Sequence, residues 1–357
     1  MFIQRSQYLK KIKRLRVSEG RDLDNGLRLD RNEKVESWGK EFISSIFRDK
    51  PDWLMSVYPE NDTIYKKLSD FLKIKKESIL LTSGIDGGIK TIFEIMTAPG
   101  DLVGVINPTY AMYKVYSNLY QTNIEEINYK RNNKLDLDAI VSFLNKKPKV
   151  FFFPNPNQPI EDTLNFDQLK FLAKECYKNN CLFFIDEAYH YFGAESSVDL
   201  INEYENVIVA RTFSKAFGVP SIRLGFLLTN EKNMEIISKM RFAHESNTLS
   251  NVVAEHLIDN FKVVENYIKE IVDTRNKLKI ILKKLGIESY GETGNYLLLD
   301  LKSSENAIKF AVFMKSKKIY IKGPWKDNYS NFLTITLGPM KLMEKFVGAV
   351  EEFNLRK

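Results

Sequence analysis

Between about residues 79 and 229, short apolar runs recur, each followed by a polar turn and then by a stretch in which apolar residues return every three or four positions. The short runs read as buried strands, and the three-to-four spacing reads as helices with one face turned inward. The pattern predicts strands at 79–82, 102–106, 124–127, 150–153, 182–185, 207–210 and 224–228, with helices such as 166–178 between most of them. Seven such strands alternating with helices form a mostly parallel sheet covered on both faces, a three-layer α/β domain. In open sheets of this kind ligands sit beyond the carboxyl ends of the strands. Gly84, Asn107, Asn155, Asp186 and Ser214 all fall at or just past those ends. From about Lys232 the pattern changes to long lysine-rich helical stretches and then a few strands, at 295–301 and 332–337. The expected organisation is a large domain at 46–235 and a smaller α/β domain at 236–357, completed by the N-terminal segment 1–45.

A chain of 357 residues with 44% apolar content can bury a full core and is long for a single domain. Its 53 basic and 46 acidic residues are spread along the whole length, giving a net charge of +7. Such a spread suits an anionic substrate or simple solubility rather than a nucleic-acid footprint, so no nucleic-acid partner is expected. Residues 1–20 interleave Lys10, Lys11, Lys13, Arg14 and Arg16 with Tyr8, Leu9, Ile12 and Leu15. This segment lacks the apolar stretch and cleavage site of a signal peptide and reads as a surface helix. No run approaches transmembrane length, so no membrane partner is expected. Cys176 and Cys181 read as small core residues of a reducing compartment, and His190, His244 and His256 lack paired ligand spacing. A cytoplasmic protein without a metal is the expectation.

The candidate chemistry lies in residues 213–225, where Lys215 stands among small and apolar neighbours with Arg223 eight positions on. A lysine on an apolar wall loses hydration, so its neutral amine becomes accessible and can form a Schiff base with a carbonyl. The arginine can fork a phosphate. The apolar run at 182–185 carries Asp186 into the core, where an unpartnered carboxylate would be costly, so a cationic or donor partner is implied. Residues 80–88 run from an apolar strand through a glycine-bearing turn into a helical stretch at 89–96. Backbone amides at such a helix start bind phosphate, the glycines permit close approach, and Asp86 stands as the N-cap.

These segments resemble the fold-type I pyridoxal-phosphate enzymes. Residues 212–225 follow the family's S-F-S-K-x-F-G-x-x-G-x-R-x-G with few departures, and 82–88 follow T-x-G-x-D-E with glycine for the last glutamate. The resemblance implies that Lys215 carries pyridoxal 5'-phosphate and that Gly84, Ile85, Asp86, Thr212, Ser214 and Arg223 bind that cofactor. It makes Asp186 the partner of the ring nitrogen and Tyr189 a donor to the phenolic oxygen. Asn107-Pro108-Thr109-Tyr110 resembles the P-x-Y segment, whose aromatic ring, here Tyr110, stacks on the pyridine face. Residues 153–160 resemble P-N-N-P-T-G, but Gln158 stands at the cofactor-contacting asparagine, so that contact stays with Gln158 or passes to Asn157. Ile160-Glu161 replace the Thr-Gly that normally follows.

The resemblance covers nearly the whole chain and is closest to the histidinol-phosphate aminotransferase branch. Residues 29–33, with Asn32 on the substrate side, stand where that branch has N-E-N-P, although Lys34-Val35 replace Asn-Pro. Val57-Tyr58-Pro59 matches the branch's Y-P, whose tyrosine reaches the cofactor phosphate of the partner subunit, which implies a homodimer. The main departure is at 333–338, where the branch has L-R-I-T-x-G and this chain has Thr334 in place of the arginine that forks a substrate α-carboxylate. A second branch arginine, at the substrate's phosphate end, is matched by Lys322. Loss of the carboxylate fork beside a retained cation implies a small, phosphorylated keto or amino compound without the usual α-carboxylate. A glutamate donor would then need another arginine, such as Arg28, Arg31 or Arg241. Aminotransfer is the first reading; decarboxylation of a phosphorylated amino acid is the alternative, and a non-catalytic interaction module is a third.

Overall fold

The computed structural model describes residues 9, 10, 12 and 20–355, so the basic segment read as a surface helix lies almost wholly outside the described residues. Its largest sheet has seven strands in the order β2-β8-β7-β6-β5-β3-β4. These are β2 (Ile79–Thr82), β3 (Leu102–Asn107), β4 (Asn123–Asn128), β5 (Val150–Pro154), β6 (Leu182–Asp186), β7 (Val207–Thr212) and β8 (Gly225–Leu228). β3 to β7 run parallel, while β8 is antiparallel to both its neighbours. β5, β6 and β7 are buried at every position because helices cover both faces. Phe151, Phe153, Phe183, Ile185 and Val209 pack on one face with Leu169 and Leu172 of the helix Phe166–Lys178. Phe152, Phe184, Ile208 and Ala210 pack on the other with Ile89 and Phe93 of the helix Gly84–Met96 and Tyr113 of the helix Met112–Tyr120. Burying each such aromatic ring contributes roughly 1.5–3 kcal/mol, which fixes the strand register firmly.

That register aligns the strand ends. Pro154 pairs with Asp186 and Asp186 with Ala210, while Thr212 and Thr82 both pair with Gly225. Residues far apart in sequence thus come to one rim. The observed strands differ from the expected ones chiefly at this rim, where β5, β6 and β7 continue one or two residues further. A correction falls at the glycine turn. The helix begins at Gly84 rather than near Ile89, so Asp86 lies in its first turn and Ser83 holds the N-cap position without a side-chain capping bond.

A second core lies around the antiparallel strands β9 (Glu288–Tyr290), β10 (Tyr296–Asp300) and β12 (Phe332–Thr336). The helices Ser304–Ser316 and Met340–Leu355 cover it through Phe310, Met314, Phe346 and Val350. The N-terminal residues Leu27, Leu29 and Val35 belong to this core, because β1 (Leu27–Leu29) pairs in parallel with β11 (Ile319–Ile321). The helix Phe261–Lys284 joins both cores, Val264 packing with the large sheet and Ile271 and Leu278 with the smaller one. No helix of the described residues is long and apolar enough to cross a membrane.

Candidate active site

A cleft of about 740 Å³ opens at the rim where β5, β6 and β7 end, walled on the other side by residues 30–33 and 321–323. Ile85, Asp86, Tyr110, Asn157, Gln158, Asp186, Tyr189, Thr212, Ser214, Lys215 and Arg223 all line it, as do Asn32 and Lys322. Gly84 stands directly behind: its φ is +68°, and a Cβ there would come 3.0 Å from a terminal nitrogen of Arg223. Both the left-handed backbone and the close guanidinium require glycine at this position.

At the end of β6, the Asp186 carboxylate accepts from the Tyr113 hydroxyl at 2.7 Å and from the Ala188 N–H at 3.0 Å. Burial pushes its pKa up to about 6 against the opposing pull of Tyr113. Lys215 is half-buried, and its Nζ donates to the backbone carbonyls of Arg31 at 3.0 Å and Asn32 at 3.3 Å. Burial, and then the nearby Lys322, bring its pKa down to about 8. An acid moved up and an amine moved down toward neutrality in one cleft form the kind of pair that marks functional sites. Tyr189 is half-buried at the same place, desolvation there raises its pKa, and its hydroxyl accepts from Asn32 Nδ2 at 2.8 Å. Asn32 itself has φ +54°, a conformation asparagine tolerates, and Thr336 Oγ1 bonds both its N–H and its side-chain oxygen.

The opposite corner suits a phosphate. Ser214 N–H donates to Thr212 Oγ1 at 3.1 Å, and both residues line the cleft together with Ile85 and Asp86 of the first turn of the helix Gly84–Met96. Gly225 permits that approach, since a Cβ on it would lie 2.8 Å from the Gly84 carbonyl carbon. First-turn amides, hydroxyls and the Arg223 guanidinium together form an anion site. Asp86 adds a carboxylate at the edge, accepting from the Tyr110 hydroxyl at 3.3 Å.

The two amides left open by sequence separate here. Asn157 Nδ2 donates to the carbonyls of Pro108 and Ile160 and to the Tyr129 hydroxyl, and its Oδ1 accepts from Thr109, so its amide is committed to the loop. Gln158 is buried with Oε1 3.5 Å from Lys322 Nζ, and its Nε2 has no partner among the described residues. A buried donor left unpaired costs roughly 1–3 kcal/mol, so a bound acceptor is the natural complement. The residues present therefore fit a cofactor with an anionic tail, a cationic ring nitrogen and an acceptor oxygen.

Two expected residues lie elsewhere. Thr334, read as a substrate contact, is 1% exposed and accepts from the Trp325 indole N–H at 2.9 Å; it stands behind the cleft wall. The correction has a steric cause, because the indole takes the space above it. Tyr58 is 76% exposed and stacks on His244 at 4.5 Å, away from the cleft of its own chain. Of the three candidate arginines only Arg31 lines the cleft. Arg28 is tied to the Val35 carbonyl and Glu33, and Arg241 is exposed outside it. Sequence reasoning missed Tyr113, Asn295 and Tyr296. Asn295 Nδ2 donates to the Asn32 carbonyl and the Tyr296 hydroxyl to the Asn157 carbonyl, so the head of β10 holds both walls. Tyr113 carried one signal, a position three residues after Tyr110 at the start of the helix Met112–Tyr120; Asn295 and Tyr296 carried none.

The family model for aminotransferases of class I and II matches residues 23–350. The chain belongs to this family. It is 29% identical over 336 residues to a histidinol-phosphate aminotransferase of Clostridium novyi, covering 93% of this chain and 92% of that protein. It is 28% identical over 343 residues to a dihydroxyacetone phosphate transaminase of Campylobacter jejuni, covering 92% and 90% of the two chains. The crystal structure of histidinol-phosphate aminotransferase from Sinorhizobium meliloti in complex with pyridoxal-5'-phosphate superposes with a TM-score of 0.89 at 18% identity, covering 100% of this chain and 99% of that one. The protein is thus a pyridoxal-phosphate-dependent aminotransferase of the fold-type I class, in the histidinol-phosphate aminotransferase branch. The expected α/β architecture and cofactor both agree with this membership.

Proposed function

We propose that this aminotransferase moves an amino group from a donor amino acid to a small phosphorylated ketone or aldehyde without an α-carboxylate. The observation that carries the reading is that Lys215 shares the cleft with two well-separated candidate anion holders besides Arg31 at the wall: Arg223 after β7 and Lys322 after β11. One suits the phosphate of the cofactor, the other an anion on the substrate. Pyridoxal 5'-phosphate supplies the electron sink that stabilises charge developing on the substrate carbon. Asp186, oriented by Tyr113, would keep the ring nitrogen protonated, Tyr189 and Gln158 would donate to the phenolic oxygen, and the Tyr110 ring would pack on the cofactor. Gly84, Ile85, Asp86, Thr212, Ser214 and Arg223 hold the phosphate. Lys215 would be the point of covalent attachment, and its amine, released when the substrate's amino group takes its place, would move a proton on and off the substrate carbon. Asn32 keeps Tyr189 in place beside the substrate. The Campylobacter jejuni relative, named for a phosphorylated ketone that has no carboxylate, supports this acceptor class. No observation favours decarboxylation. A screen of amino donors against the cofactor-loaded protein, followed by acceptors in competition, tests the reading. A single charge-assisted contact is worth roughly one to two decades, so phosphorylated ketones are expected to exceed unphosphorylated 2-oxo acids about 10-fold or more in kcat/KM. A preference for the 2-oxo acids overturns it.

The same reading includes a homodimer in which Tyr58 of each subunit reaches the cofactor phosphate of the other. Its support is the exposure of Trp53, Met55, Tyr58 and Phe242, large aromatic and apolar side chains that a partner surface would cover. Mixing Lys215→Ala with an impaired Tyr58→Phe protein is expected to restore activity in heterodimers, each of which holds one intact site. A fully active monomer in solution refutes this. The division into residues 1–45, 46–235 and 236–357 is part of the proposal, with the N-terminal segment belonging to the smaller domain as its β1–β11 pairing suggests. A cytoplasmic location is supported by the two buried free cysteines.

A further inference from the structure

The cleft wall that carries Lys322 is built in an unusual way. Gly323, at φ +114°, bends the chain after Lys322 while keeping it alongside β12; a Cβ there would lie 3.0 Å from Leu333, so this turn depends on glycine. The turn lays Trp325 against β12, where its backbone N–H donates to the Phe332 carbonyl at 3.2 Å and its indole N–H to Thr334 Oγ1 at 2.9 Å. Lys322 and Thr334 also exchange both backbone hydrogen bonds, at 3.0 and 2.8 Å. Trp325 is therefore held at its backbone and at its indole nitrogen, and the centre of its ring lies 4.8 Å from the Lys322 ammonium. The same ammonium donates to Gln158 Oε1 at 3.5 Å.

We propose that Trp325, held by Thr334, is a positioning residue that fixes the Lys322 ammonium for the phosphate of a short phosphorylated carbonyl acceptor. The inference rests on the reading of Lys322 given above. A free lysine side chain samples many rotamers and must be ordered on binding, whereas an ammonium held by an indole ring and an amide oxygen has already met that cost. The ring attracts the ammonium through its face and not through a hydrogen-bond acceptor atom. Thr334 takes part only through the indole. Its hydroxyl accepts the N–H that would otherwise be unpaired, and its short side chain leaves room for the ring.

The test compares KM for dihydroxyacetone phosphate with KM for the amino donor in the cofactor-loaded full chain. Lys322→Ala is expected to raise the acceptor KM roughly 10- to 100-fold with the donor KM unmoved. Thr334→Val keeps the volume but removes the acceptor, and Trp325→Phe keeps a ring face but removes the donor. Each is expected to raise the acceptor KM about 3- to 10-fold, and the double variant no further than either single, since both remove the same bond. Inhibition by inorganic phosphate should weaken in parallel. If Lys322→Ala acts as expected while Trp325→Phe and Thr334→Val leave the acceptor KM alone, the positioning role is overturned and the reading of Lys322 stands. If they raise both KM values equally, Trp325 serves the fold and the role is also overturned. If Lys322→Ala itself changes nothing, the reading of Lys322 fails and the inference falls with it.

Discussion

Lys215→Ala is expected to lower turnover by about 10² to 10⁴, the usual contribution of a positioned proton-transfer group, while the protein stays folded. The fold should survive because Lys215 is only half-buried and its side chain bonds two backbone carbonyls that water can reach in its absence. Cofactor should still be retained through Asp186, Arg223 and the Gly84 turn. Borohydride reduction of the parent protein followed by peptide mapping should place the label on Lys215, and a label on any other lysine would sink the assignment. The amine also has a testable pH signature. Its pKa is lowered to about 8, so the neutral, nucleophilic form dominates above that pH. The rate of covalent cofactor attachment to the cofactor-free protein should therefore rise with pH up to about 8 and then level off. An ordinary lysine would keep gaining up to its usual value near 10.5. A rate still climbing at pH 10 would show that Lys215 is not shifted.

Much of this site was legible because strand ends carry it. An apolar run ending in Asp186 and a strand followed by Ser214 and Lys215 predict both the residue types and their place on the rim, and the β5–β6–β7 register delivers them there. What could not be read was which atoms satisfy one another across long separations. Tyr113 looks like one more core aromatic until β6 brings Asp186 to its hydroxyl. Asn295 and Tyr296 open an ordinary strand, and only the folded chain shows them holding the carbonyls of Asn32 and Asn157. The choice between Asn157 and Gln158 turned on hydrogen bonds to Pro108, Tyr129 and Ile160 that motif spacing does not encode. Thr334 was identified as a departure but not as a residue behind the wall, because its surroundings depend on the turn at Gly323. Asp86 failed as an N-cap for a related reason. Glycines at 84, 87 and 88 suggest a loop by propensity, yet packing against Leu227 and Arg223 draws them into the helix.

Asp186→Asn should have the second large effect, lowering kcat by about 10² to 10³, the scale on which removing one preorganised electrostatic partner acts. Asparagine keeps the shape and the Ala188 contact but cannot hold the ring nitrogen protonated. The parent carboxylate has a pKa raised to about 6 in the cofactor-free chain, chiefly by burial. Below that pH it takes up a proton and loses the charge that pairs with the cofactor's ring, so cofactor affinity should be full above about pH 6 and fall as pH drops through it. Tyr113→Phe separates the charge from its support. The phenol's hydrogen bond lowers the Asp186 pKa, so its removal raises that pKa further and moves the acid limit of cofactor binding upward toward neutrality. Absorbance titrations of cofactor across pH distinguish the three proteins. The parent should weaken near pH 6, Tyr113→Phe should weaken at higher pH, and Asp186→Asn should be weak with little pH dependence. If the asparagine variant turns over like the parent, the carboxylate does not act as assigned; if Tyr113→Phe leaves the acid limit in place, the phenol does not.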